Sequence, residues 1–286
     1  MLFSNRKYLV HHFFFILLSV ILLLCYSKTQ DINDLSSFDL PPILFGSFIL
    51  IGTLGLGHGA LDGKIIWNAS AKTKVKIKIY LIYLLIASLA LSFWIISNIT
   101  GLILLFLMSI VHFGESDMEG YQINVIEKLS WGCFVTFIPL IFRPDDVNII
   151  FKNLADLQIN QLIYSFILIL FLLSLAIWIR IIVKKKYLLI ATTMIVMMAL
   201  GYLYPPLVWF AYYFCCFHGI RAIINVSSDL KKDILWMLLF SLPILFIWFY
   251  LSNFTKISIN SIVFPSLFAL TVAHMMLQRI IKKVSI

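Results

Sequence analysis

Four histidines stand in long apolar stretches of the chain: His58, His112, His218 and His274. Ionisable side chains inside apolar spans are costly, and each is a functional candidate by default. Imidazole is a common ligand for Fe, Cu, Zn and Ni, and helical bundles build metal sites from inward side chains on several helices. The plainer reading of a single such histidine is a helix–helix hydrogen bond. Two of the four have carboxylates at helical spacing. Asp62 follows His58 by four residues and Glu115 follows His112 by three, each on its histidine's own face. A ligating histidine usually donates its second ring nitrogen to a carboxylate or carbonyl. Asp62 and Glu115 are expected in that role, with Asp117 as a further candidate. Glu119 reads as a solvated loop charge. Asp62 lies in the stretch G-L-G-H-G-A-L-D-G, whose four glycines allow close helix approach. His11 and His12, beside Arg6 and Lys7, read as an interfacial pair. Upstream of His218, the residues Trp209, Phe210, Tyr212, Tyr213, Phe214 and Phe217 are crowded into one apolar run, and Phe113 adjoins His112. Such aromatics pack against lipid or neighbouring helices, or line a slot for a long apolar substrate.

The elements that must carry these residues are membrane helices. Of 286 residues, 62% are hydrophobic and 12% charged, and the mean hydropathy is +1.02. A soluble domain has about a quarter of its residues charged. That excludes a soluble globule, a disordered chain and a disulfide-stapled secreted domain. The net charge of +9 fits Lys and Arg in cytoplasmic loops, not a nucleic-acid partner. Cys25, Cys133, Cys215 and Cys216 show no C-x-x-C spacing, so no zinc ribbon is indicated. Apolar runs over 8–27, 41–63, 79–97, 101–117, 129–142, 161–183, 187–204, 206–224, 234–251 and 262–281 predict ten spanning helices. The chain is thus expected to be a single all-α polytopic membrane bundle over 1–286, with no second domain. With both termini cytoplasmic, eighteen Lys and Arg fall inside and four outside, as the positive-inside rule asks. The four histidines then lie on the even-numbered spans, near their cytoplasmic ends. His58, His218 and His274 precede Lys64, Arg221 and Arg279 by six, three and five residues. At about 1.5 Å per residue these offsets agree within roughly one turn, so the four imidazoles are expected in one layer.

G-H-G-A-L-D at 57–62, H-F-G-E-S-D at 112–117, Y-F-C-C-F-H-G-I-R at 213–221 and T-V-A-H-M at 271–275 fall in this order along most of the chain. In these segments the sequence resembles the Brp/Blh family of membrane β-carotene 15,15′-dioxygenases. The resemblance implies an integral membrane enzyme that uses non-haem Fe(II) and O₂ to cleave β-carotene at its central double bond into two retinals. It implies a prokaryotic plasma (inner) membrane and lateral entry of substrate from the bilayer, with handover of retinal to a rhodopsin as a further expectation. His58, His112, Asp62, Asp117 and His218 match the family pattern. The family's second histidine of the eighth span, four residues after His218, is Ala222 here. His274 matches another family histidine and is expected to complete the ligand set. Trp209, Tyr212, Tyr213, Phe217 and Phe113 are the expected substrate contacts. The alternative is a non-catalytic or divergent carotenoid- or retinal-binding protein, which Ala222 favours. A transporter with a His–acid relay is a third reading, set back by the absence of an internal repeat. A di-iron desaturase would need more histidines than the six present.

Overall fold

The computed structural model describes residues 6–24, 42–70, 72–227 and 229–284, and the side chain of His58 lies outside the described set. The regular structure among the described residues is all helical, with no strand. In chain order the helices are α1 (Arg6–Leu24), α2 (Pro42–Asn68), α3 (Thr73–Ile96), α4 (Asn98–Asp117), α5 (Val125–Phe142), α6 (Pro144–Ala155), α7 (Gln161–Lys185), α8 (Leu188–Leu203), α9 (Pro206–Val226), α10 (Leu230–Thr255) and α11 (Asn260–Val284). Nine of the described helices are long and apolar enough to cross a membrane. The expected seventh span, α8, is apolar but has 16 residues. At about 1.5 Å per residue it falls short of the roughly 30 Å hydrocarbon layer, because Pro205 and Pro206 start the next helix.

Several helices extend beyond the apolar runs that announce them. α3 begins at Thr73, taking in Lys74, Lys76 and Lys78, since lysine is a good helix former that only the hydropathy excludes. α5 begins four residues early because Asn124 and Glu127 form a reciprocal capping box. α10 begins on an Asp229 cap that accepts from the Lys232 amide. α6 falls in a stretch expected to be loop. Pro144 opens it, Asp145 and Asp146 occupy its first turn, and Val147, Ile150, Phe151 and Leu154 form its buried stripe.

Four of the main helix pairs are antiparallel, α3 on α11, α4 on α5, α2 on α10 and α5 on α7. In contrast, α1 lies parallel to α8, His12 meeting Thr193 near the start of both helices and Leu22 meeting Tyr204 near their ends. Lys64 and the buried Asp233 form an ion pair between α2 and α10. The α4–α5 contact is a backbone approach. A Cβ on Gly132 would stand 1.8 Å from the Ile110 carbonyl oxygen, and one on Gly114 would stand 2.3 Å from the Lys128 carbonyl oxygen. Both glycines therefore fix how deeply α4 sits against α5.

Gly132→Ala should push α4 and α5 apart and cost about the 1–3 kcal/mol typical of overpacking. Gly46→Ala is the control, because its Cβ meets nothing within 4 Å. Thermal unfolding in detergent should show a clear loss for the first and none for the second. Equal behaviour of the two would contradict the close approach.

Candidate active site

Three imidazoles meet where α4, α9 and α11 converge. The ring centroids of His112 and His218 are 4.8 Å apart, and those of His112 and His274 are 5.3 Å apart. A carboxylate from a different helix holds each outer ring, Asp117 of α4 for His218 and Asp62 of α2 for His274. His218 Nδ1 lies 2.7 Å from Asp117 Oδ1, and His274 Nδ1 lies 2.9 and 2.8 Å from the two oxygens of Asp62. An ionised carboxylate can only accept, so each Nδ1 carries a proton, and in the neutral ring the lone pair is on Nε2. Tyr213 Oη donates to Asp117 Oδ2 at 2.5 Å and Trp131 Nε1 donates to the same oxygen at 3.0 Å. Tyr83 Oη donates to Asp62 Oδ2 at 3.1 Å. Asp117 is fully buried and Asp62 is 2% exposed.

The local backbone explains why His218 faces this point. Residues Tyr213–Gly219 of α9 and Ile51–Gly55 of α2 are π-helical turns, and they pack on each other. Such wide turns rotate the side chains that follow them and leave carbonyls to be satisfied from outside. The Cys215 thiol donates to Leu50 O across the contact at 3.2 Å. A Cβ on Gly55 would stand 2.7 Å from the Phe214 ring, so glycine is what lets the two turns meet. From α1, His11 Nε2 donates to Cys216 O at 3.2 Å.

His11 and His12 are thus not an interfacial pair. They are 3% and 0% exposed, because α1 packs into the bundle beside α8 and α9. His12 Nδ1 lies 3.0 Å from Thr193 Oγ1, whose own proton goes to Leu189 O. The ring is therefore protonated on Nδ1, and its Nε2 accepts from Tyr121 Oη at 2.9 Å. Burial pushes the Tyr121 hydroxyl above its usual range while the Arg221 guanidinium pulls it down, so it remains a neutral donor. Arg221, fully buried, lies over the Tyr8 ring at 4.3 Å and donates to Glu119 O at 2.9 Å. That bond pins the turn just after Asp117.

Other expected site residues are placed differently. Glu115 is exposed, since the outer face of α4 carries it away from His112, and the buried carboxylate of this helix is Asp117. Asp62 has His274 and Tyr83 as its described partners, so it acts across helices and not only along its own. Glu119 is exposed and accepts from Asn225 Nδ2 at 2.6 Å. Ala222 is half-buried on α9 and its methyl offers no ligand.

An apolar cavity of about 140 Å³ ends on His112 and His274. That is roughly ten times the space a single water needs, so it is ligand-sized. Phe113, Trp209 and Tyr213 line it, together with Phe210, Phe214 and Phe264. Tyr212 and Phe217 were expected there but turn towards α1. Tyr212 Oη meets Ser19 Oγ at 2.8 Å, and Phe217 packs against Phe15 and both α1 histidines. Phe217 stacks on Tyr213 with ring centroids 6.0 Å apart, one turn past the residues that line the cavity, and Tyr212 lies on the α1 side of that stripe.

Among the described residues no group of three His, Cys, Asp or Glu side chains forms a closed metal set. The donors nonetheless suit one. Rings that each hold a common metal about 2 Å from a nitrogen have centroids roughly 4.5–5.5 Å apart, and ligating histidines characteristically have a carboxylate on the other nitrogen.

Fold and site together define a polytopic helical membrane protein with an apolar cavity that ends on carboxylate-braced imidazoles. Residues 49–282 match the family described as β-carotene 15,15′-dioxygenase, and the chain belongs to that family, among carotenoid-cleaving dioxygenases. A relative named β-carotene 15,15′-dioxygenase, from uncultured marine bacterium 66A03, is 30% identical over 253 residues, which cover 80% of this chain and 90% of the relative. No solved structure matches. α1, with His11 and His12, precedes the matched region.

Asp117 accepts from three buried donors, so its removal leaves all three unsatisfied, whereas Tyr213→Phe removes one donor and leaves the carboxylate two. Asp117→Ala should destabilise the protein by several kcal/mol, and Tyr213→Phe by about 1–3 kcal/mol. Thermal unfolding of the two variants side by side checks this. A Tyr213→Phe loss as large as that of Asp117→Ala would mean that Asp117 is not the hub.

Proposed function

We propose that the chain is an iron(II)-dependent β-carotene 15,15′-dioxygenase, which joins one β-carotene and one O₂ to give two molecules of retinal. The observation that carries this reading is the meeting of His112 with His218 and His274, each outer ring braced by a buried carboxylate, at the end of an apolar cavity. His112, His218 and His274 would hold the iron, with His58 as the fourth candidate on α2. When bound, non-haem iron supplies the activation of O₂ that scission of a double bond requires. The chain's own residues do the rest. Asp117 and Asp62 hold protons on Nδ1 and so keep each Nε2 lone pair directed away from them. Phe113 and Phe214 pack beside His218, with ring centroids at 4.8 and 5.7 Å, and exclude water from the reacting end. The apolar walls orient an extended polyene so that one of its double bonds rests by the imidazoles. In this reading both termini are cytoplasmic, the membrane is a prokaryotic plasma membrane, and the polyene enters laterally from the bilayer.

Expressing the chain in cells that make β-carotene should yield retinal and bleach the orange colour, and the purified protein should retain iron. His218→Ala and His274→Ala should each lose both. Asp62→Asn and Asp117→Asn should weaken metal binding by roughly 10–100-fold, read by metal titration independently of turnover. A second reading, a non-catalytic polyene binder, is favoured by Ala222. It prevails if the protein binds β-carotene, holds no iron and forms no product, and if Ala222→His restores both metal and product.

The proposed orientation has its own check. A reporter fused after Lys186 should read cytoplasmic, and one fused near Asp145 should read periplasmic or extracellular. Reversed signals would place the imidazole layer at the opposite membrane face.

A further inference from the structure

The cavity wall carries a hydroxyl that the reaction above does not use. Thr136, on α5, lines the cavity, and its Oγ1 is buried without a hydrogen-bond partner among the described residues. This is unusual for the molecule itself. Thr53, Thr192, Thr193 and Thr255 each donate to the carbonyl four residues earlier, at 2.7, 3.1, 2.8 and 2.6 Å. Thr136 does not, although Gly132 stands four residues before it in the same helix. Tyr213 is committed to Asp117 and Trp209 to Met197 O at 3.0 Å. Ser109 and Thr271 also line the cavity, but of these three hydroxyls only Thr136 Oγ1 is buried and unbonded among the described residues. A buried hydroxyl in apolar surroundings is costly unless something bonds it, and the space it faces is the ligand's.

Its position along the cavity follows from helix pairing. Gly132 abuts Ile110 across the α4–α5 contact. Thr136 lies one turn beyond that crossing, and His112 lies two residues to the other side. At about 1.5 Å per residue the hydroxyl is roughly 9 Å along the bundle from His112. It therefore addresses an arm of the ligand, away from the bond at the imidazoles.

We propose that Thr136 is a specificity-determining residue that recognises an oxygen on one arm of the substrate, so that the cavity prefers an oxygenated polyene to a pure hydrocarbon. The inference rests on the polyene-cleaving reading of the same site and deepens it. A ring hydroxyl and a chain-terminal aldehyde share the required chemistry, because the threonine hydroxyl donates to either and accepts from the first. They differ in how far the oxygen sits from the scissile bond. An asymmetric substrate of this kind would be held in one direction, with the oxygen-bearing arm at Thr136.

The test uses full-length protein in detergent, with β-carotene, its 3-hydroxylated derivative and a shortened polyene aldehyde as probes. Binding is read by quenching of tryptophan fluorescence, since Trp209 lines the cavity, and cleavage is read separately by product analysis. Wild-type protein should bind one of the oxygenated probes about tenfold more tightly than β-carotene, as one neutral hydrogen bond allows. Thr136→Val, which keeps the shape, should erase that preference without weakening β-carotene. Thr136→Ser, which keeps the hydroxyl, should retain it. Which probe loses its advantage tells the ring hydroxyl from the chain aldehyde. Unchanged binding ratios in Thr136→Val, with cleavage intact, would overturn the inference and leave the dioxygenase reading standing. Failure of the wild-type protein to bind any polyene would remove both.

Discussion

A single buried carboxylate organises the reacting end of this bundle. Asp117 terminates α4 with no exposure to solvent, and it is acceptable there only because three donors converge on it. Two of them, His218 and Tyr213, come from one side of α9, and Trp131 comes from α5. The carboxylate thereby ties three helices at one depth and fixes the tautomer of His218. Arg221 reaches over from the next turn of α9 to the Glu119 carbonyl, which anchors the chain just past Asp117. A network this closed gains from mutual polarisation, and it loses heavily when one member is missing.

The π-turns are the second constraint, and they follow from the first. For Tyr213 and His218 both to reach Asp117, five residues apart, α9 has to widen between them, and it does so over Tyr213–Gly219. Widening frees carbonyls that no membrane water can satisfy. His11, from α1, takes the Cys216 carbonyl. Cys215 in turn caps Leu50, at the edge of the facing π-turn in α2. α1 lies outside the region the family shares, yet it supplies one of the bonds that keep the His218 segment in shape.

Much of the scaffold was legible in the sequence, because hydropathy and charge placement act over whole helices. The ten apolar helices stand where long apolar runs predict them. The ends moved where lysines or caps prolonged a helix past its apolar run, as at Thr73 and Asn124. At the site, residue types were easier to read than partners. Asp62 was recognisable as a histidine-bracing acid from its spacing to His58, but its bond to His274 crosses 212 residues of sequence, and no local pattern reports that. Glu115 matched the helical spacing better than Asp117 and lost to it, because burial at a helix end depends on the neighbouring helices. Tyr212 and Phe217 belonged to the right helix, but Phe217 falls one turn beyond the cavity and Tyr212 turns to α1. His11 and His12 looked interfacial because they adjoin Arg6 and Lys7, and only the packing of α1 against α8 and α9 shows that they are enclosed.

With iron in the cluster as proposed, the same pairing logic bears on the missing imidazole at Ala222. His218 on α9 leans on Asp117 of α4, and His274 on α11 leans on Asp62 of α2. Each unit joins two helices, and both units flank His112. The second unit does not depend on the pitch of α9, so it is unaffected by the π-turn that places His218. An imidazole four residues after His218 would share that helix's rotation and would need a carboxylate of its own. A ring supplied from α11 instead has a ready-made acceptor in Asp62, braced by Tyr83, and it stands beside His112 at the end of the cavity. If the cluster holds iron as proposed, the loss of the family's second α9 histidine changes which helix carries the ligand and leaves the manner of bracing it the same.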